Sequence, residues 1–222
     1  MHKTLFYFLF VTMLIVLISC SSCNNRSTAI PPISSSDSIH IINEILGHRQ
    51  EMDVFFRSNP ASPFLQDTTA RFDSIKWFPP SLEYYFRSQL FRYAKPQEVN
   101  VFGTKGEKRN ALRYGYFKIE YEGNEYRLNT YKTLPSQDDP SPDPMYLSVW
   151  FTDASTGKET YGVGRYVDIG EEQSDENAIY VIDMNKAYNP YCAYSSIYSC
   201  AVPRKEDRFD FPILAGEKKY HE

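Results

Sequence analysis

Two periodicities divide the chain. Between residues 38 and 58 the positions Ile41, Ile45, His48, Met52 and Phe55 recur at steps of four and three, widened by Ile42, Leu46 and Phe56. Residues three and four apart share a helix face, so the pattern predicts an amphipathic helix. Ser36 or Asp37 is placed to cap its first turn, and Ser58-Asn59-Pro60 to end it. Gly47 weakens helix propensity inside it. From Leu82 onward the period falls to two. Residues 82–91, 98–103, 111–121, 125–133, 146–152, 160–169 and 178–184 each read as a strand, and a last strand is expected near Phe209 to Leu214. The clearest hairpin is IEYEGNEYRL, with Gly123-Asn124 as its turn. No helical crossover separates these runs, so the sheet is expected to be antiparallel. The predicted fold is mainly β (α+β): an antiparallel, barrel-like or sandwich domain with an N-terminal amphipathic helix.

Outside this body the pattern changes again. Leu5 to Ile18 is apolar apart from Thr12, follows Lys3, and is shorter than the ~20 residues a membrane-spanning helix needs. Leu17-Ile18-Ser19-Cys20 resembles the bacterial lipobox, in which the cysteine thiol is lipidated and becomes the mature first residue. Residues 1–19 then form a lipoprotein signal peptide, 20–37 a flexible tether rich in Ser, Asn and Pro, and 38–222 a single β-rich domain. The anchor makes a membrane the expected partner and the cell envelope the expected location. Only Arg26 is charged between Cys20 and Asp37. That segment lacks the acidic run of many surface-exported lipoproteins, so the domain is expected to face the periplasm.

Charge narrows the partners. The net charge is −4, and loss of Lys3 with the signal peptide takes it to −5. An acidic chain without a Lys/Arg cluster is not expected to bind nucleic acid, where phosphate neutralisation dominates affinity. Nothing in the sequence sets an oligomeric state. The acidic stretches 135–144 and 170–177 lack calcium-loop spacing and read as solvated turns.

Few residues carry recognisable chemistry. No GxxxxGK[ST], GxSxG or HExxH occurs, and no CxxC lies in the folded part, so no cofactor is implied. His40 and His48 sit on the helix, away from Cys192 and Cys200, so no metal site is expected. His48 reads as a partly buried residue at the margin of the packing. Several segments in the second half resemble a known family. Asp153 to Tyr161 fits D-x-x-x-G-x-E-T-Y, and Gly164-Arg165-Tyr166 follows it. Asp183, Asn185, Ala187 to Pro190 and Cys192 to Tyr194 fit D-x-N-x-A-Y-N-P-x-C-A-Y, before Cys200, Pro203 and Ala215-Gly216-Glu217. With Ser62-Pro63-Phe64 and Trp77 to Pro80, these resemble the bacterial domain of unknown function 1684 family over roughly residues 40–218. The resemblance implies a shared fold and a shared site without supplying a reaction. Asp207 departs from it, standing where asparagine is expected before Arg208.

Glu159, Arg165, Asp183, Asn185, Asn189 and Glu217 are the candidate ligand-binding residues, since polar groups converging in an aromatic-walled hollow are the usual form of a small-molecule site. A buried structural network is the competing reading. The preferred function is binding of a small polar ligand. The alternatives are a hydrolase-like enzyme with Asp183 or Glu217 as general base, and a structural lipoprotein. Cys192 and Cys200 admit a disulfide, a structural thiol pair, a nucleophile or a pocket wall. Export favours a bridge, which would stabilise by about 2–3 kcal/mol. No histidine in the segment activates a thiolate.

Overall fold

The computed structural model of the 222-residue chain describes residues 30–134 and 146–221. The signal segment, Cys20 and the acidic stretch 135–144 lie outside the described residues.

Helix α1 (Ser35–Ser58) begins earlier than the periodicity predicts. Ser34, not Ser36 or Asp37, is the N-cap: its Oγ accepts the Asp37 N–H at 3.2 Å, and Asp37 Oδ2 accepts the Ser34 N–H at 3.3 Å. This reciprocal capping box satisfies two donors that a helix end leaves free. Ile41, Ile45 and Phe56 are buried, whereas Leu46, expected in the stripe, stays 43% exposed. A single turn, α2 (Pro63–Gln66), follows, capped by Ser62 and packing Phe64 against Phe56 with ring centroids 5.5 Å apart. No helix of the described residues is long and apolar enough to cross a membrane.

Six strands follow: β1 (Tyr85–Phe102), β2 (Lys108–Tyr121), β3 (Asn124–Thr133), β4 (Tyr146–Phe151), β5 (Arg165–Glu171) and β6 (Ile179–Asp183). Their order is β5-β4-β3-β2-β1-β6 with every pair antiparallel, a nearly closed, barrel-like sheet as the alternation implies. The first two expected strands merge into β1, whose pairing with β2 slips between Arg92 and Gln97, where Pro96 offers no N–H. Leu82 to Tyr84 is a 3-10 turn. The β2–β3 turn falls one residue early, on Glu122 (φ 49°) and Gly123 (φ 76°), the two positive dihedrals that a type I′ hairpin requires. The strand expected at 160–169 starts only at Arg165, because Gly164 at φ 120° breaks the extended run. Residues 209–214 form no strand; Arg208 makes one bridge to Thr152 and the segment then packs inward.

The alternation sorts β4 and β5 by face. Leu147, Val149, Phe151 and Val167 join Phe117, Leu128, Ile182 and Ile213 in the main core. Fully burying a side chain of this size stabilises by about 1.5–3 kcal/mol. Ser148, Trp150, Tyr166 and Asp168 point to the opposite face. There Val101, Ala111, Tyr131 and Trp150 form a second, smaller cluster. Helix α1 and the segment after β6 cover that face incompletely.

Candidate functional site

The residues singled out from the sequence are mostly buried, and they form a packed network. Arg165 is 1% exposed. Its Nη2 donates to Asp153 Oδ2 at 2.8 Å and to the Ile213 carbonyl at 2.7 Å, while Nη1 donates to the Glu217 carbonyl at 3.1 Å and to that of Ala215. Burial lowers its pKa, and Asp153 opposes the shift. Arg165 thus fastens β5 to the C-terminal segment. Glu217 Oε2 accepts the Asn189 N–H at 2.9 Å and the Tyr194 hydroxyl. Burial pushes its carboxyl up to about 7, against those donors. Two neighbouring acceptors, Glu217 Oε1 and Asn189 Oδ1, have no donor among the described residues.

Asp183 and Asn185 form a separate knot. Asp183 Oδ1 accepts from Asn185 N at 3.0 Å and Nδ2 at 2.9 Å, and Asn185 exchanges two bonds of 2.8 Å with the Ser81 backbone. Burial raises the Asp183 pKa. Glu159 joins neither group: its side chain is exposed and its carbonyl accepts the Lys219 N–H. Of the six, only Asn189 borders a cavity of any size among the described residues.

That cavity, of about 800 Å³, lies on the second face of the sheet. Helix α1 supplies His48, Met52, Phe55 and Phe56; the ends of β1 and β2 supply Val101, Arg109, Asn110 and Ala111. Ser148, Trp150, Tyr166 and Asp168 form another wall, and Tyr188 to Tyr191 with Tyr198 to Ala201 the last. The rings run in contact: Tyr131 stacks on Trp150 at 4.8 Å, Trp150 meets Tyr166 at 5.9 Å, and Tyr166 meets Tyr188 at 5.8 Å. A backbone bridge between Tyr166 and Tyr188 fixes the last pair. Asp168 projects into the cavity and accepts the Tyr188 hydroxyl at 3.0 Å. It is open to solvent yet flanked by protein, and desolvation raises its pKa despite that bond. His48 lies half-buried at the wall, as expected, 6.4 Å from Trp77, with its pKa lowered by burial.

Sequence reasoning missed this wall. The signal was present: Ser-x-Trp on β4 and Tyr-x-Asp on β5 put two polar groups and two rings on the face away from the main core. The acidic turn 170–177 is exposed as expected apart from Gly170 and Glu172. Glu172 is half-buried: desolvation of its side chain opposes ionisation, but hydrogen bonds from Lys132 at 2.6 Å, from Arg92 and from Tyr114 lower its pKa.

Cys192 and Cys200 are free thiols. Cys200 Sγ accepts the Cys192 N–H at 3.1 Å, and the Tyr161 hydroxyl lies 3.8 Å from Cys192 Sγ. Hydrogen bonds from Cys200 and Tyr161 lower the Cys192 thiol to about 6, while Cys200 is pushed up. Cys200 lines the cavity and Cys192 does not.

A family model described as "Protein of unknown function (DUF1684)" matches residues 70–218, more than half of the chain. The chain belongs to the DUF1684 family. The match begins after α1, later than the motifs alone implied. No curated protein matches. A solved structure similar to this chain is the solution NMR structure of an uncharacterized protein of Haloarcula marismortui, at TM-score 0.62 and 23% identity, covering 83% of this chain and 97% of that one. At that identity the likeness speaks for the fold alone. The Asp207 departure from the DUF1684 pattern costs nothing here: Asp207 accepts from Asn129 Nδ2 at 2.8 Å, Tyr131 Oη at 2.7 Å and Arg204 N at 3.2 Å, and needs no amide donor.

Proposed function

We propose that this DUF1684 protein is a lipid-anchored protein of the cell envelope, facing the periplasm, that binds a small molecule in the cavity between α1, the β4–β5 face and the 188–201 segment. The observation that carries the binding reading is the cavity itself. Its volume of about 800 Å³ falls in the usual range for ligand sites, and its walls are aromatic with few polar groups. The leader and the L-I-S-C motif support the anchor. Catalysis by Asp183 or Glu217 finds no support in the geometry, because neither carboxylate lines the cavity.

Native mass spectrometry of the full chain purified from its own membranes tests the binding. A retained small molecule is expected on the wild-type protein. Asn110 is exposed on the cavity wall, so Asn110→Trp narrows the cavity from the β2 side without touching the core, and pairing it with Ser148→Trp obstructs the facing wall as well. The double variant is expected to fold and to arrive without the adduct. An adduct equally abundant on the double variant places the ligand elsewhere and defeats the proposal.

A further inference from the structure

Among the described residues, Asp168 is the one acidic group on the cavity wall. Among the groups that shift it, none is a cation; the Tyr188 hydroxyl at 3.0 Å is its hydrogen-bond donor. Asp153 pairs with Arg165, Glu172 with Lys132 and Arg92, and Glu107 with Arg109, whereas Asp168, like the hydrogen-bonded Asp183, Asp207 and Glu217, makes no ion pair among the described residues; of these four only Asp168 lines the cavity. Asp168 stands among rings. The register pairs Ser148 with Asp168 and Trp150 with Tyr166, so the carboxylate and the Trp150–Tyr166 ring pair occupy adjacent rungs of one face. Tyr188 closes the third side through its bridge to Tyr166. Ring faces are electron-rich and attract cations, more strongly where water is excluded. A carboxylate beside such rings, open to the cavity and with no cation paired to it among the described residues, favours positive charge.

We infer that the cavity takes an organic ammonium ion, with Asp168 as its counter-ion and Trp150, Tyr166 and Tyr188 as the wall that excludes water around it. The inference rests on the cavity being a ligand site and adds the class of ligand. Arg109 lies on the β2 side of the same cavity and is neutralised by Glu107 at 2.9 Å, so it does not compete for Asp168. A neutral ring-shaped ligand, such as a saccharide, would stack on the same rings but leave Asp168 without its charge partner.

The test compares choline with its uncharged carbon isostere, 3,3-dimethylbutan-1-ol, titrated into the full chain by calorimetry and by Trp150 fluorescence. The two ligands match in shape and differ in charge. Choline is expected to bind at least about tenfold more tightly. Asp168→Asn keeps an acceptor for Tyr188 and is expected to retain the fold, while abolishing the preference for choline. Because the choline charge does not titrate, its affinity should fall as pH drops and Asp168 takes up a proton. The other titratable or charged groups facing Asp168 are Tyr166, Tyr188 and Tyr191, whose hydroxyls burial pushes up, together with Tyr146, Arg109 and His48 on α1; the His48 contribution is controlled by His48→Gln. Equal binding of the two ligands, or a preference that survives in Asp168→Asn, overturns the ammonium assignment and leaves the cavity reading standing. No binding of choline at millimolar concentration overturns it as well, and the adduct experiment on the double tryptophan variant then decides the cavity reading separately.

Discussion

Glu217 is 0% exposed, with one carboxylate oxygen held by Asn189 and Tyr194 and the other without a donor. Desolvation outweighs the two bonds and raises its pKa from 4.5 to about 7. The native state therefore keeps a proton that the unfolded chain releases above pH 4.5. Stability falls wherever the native state binds more protons, so this group's contribution is full below pH 4.5 and is lost as pH rises to about 7. At roughly 1.4 kcal/mol per pH unit the loss is on the order of 3 kcal/mol. Denaturant titrations of wild type and Glu217→Gln across that window check it. Asp183 and Asp207 are raised by burial in the same direction and contribute equally to both proteins. The gap between the two curves should open with rising pH, to the disadvantage of wild type. Parallel curves would mean that Glu217 is ionised throughout.

At the scale of elements, period-two alternation was enough to read the strands, because burying one face of a strand forces alternate residues apolar. It failed where backbone geometry overrides side-chain pattern. Pro96 hides the continuity of β1, and Gly164 shortens β5 although Tyr161 and Val163 still alternate. Gly216, in the A-G-E motif, is the sharpest such case. Its φ is 75°, and a Cβ there would stand 2.4 Å from the Ala187 carbonyl oxygen. The same turn seats Glu217, whose N–H donates to that Ala187 oxygen at 2.8 Å. Gly216→Ala therefore combines left-handed strain with a steric clash and should cost about 2–5 kcal/mol. Thermal and denaturant unfolding will measure it. A loss under about 1 kcal/mol would show that the turn relaxes without the glycine.

At the scale of the molecule, the motif residues and the cavity are different places that share Asn189 and the 188–201 segment. The polar motif was legible because it lies in three short stretches of sequence; the cavity was not, since its lining is divided among α1, β2, β4, β5 and the 188–201 segment. Tyrosines that read as packing material, Tyr166 and Tyr188 above all, turn out to be its wall. The proposed lipidation site lies close in sequence to the described body. Ten residues separate Cys20 from Ile30, the first described residue, so a lipidated Cys20 would hold Ile30 within about 35 Å of the bilayer surface at full extension. On the proposed anchor, a body held that close would meet solutes of the envelope, which ties the anchor to the ligand proposal. Cys20→Ser removes the thiol that lipidation requires while leaving the apolar run Leu5 to Ile18 intact. Two or more acyl chains bind stably where one is marginal, so the wild type should stay in the membrane pellet through a high-salt wash and incorporate labelled palmitate. The variant should incorporate none. If it carries label equal to wild type, the lipid is attached elsewhere; if the wild type carries none, the leader is an ordinary signal peptide or an uncleaved anchor, which release into the soluble fraction or retention in the pellet tells apart.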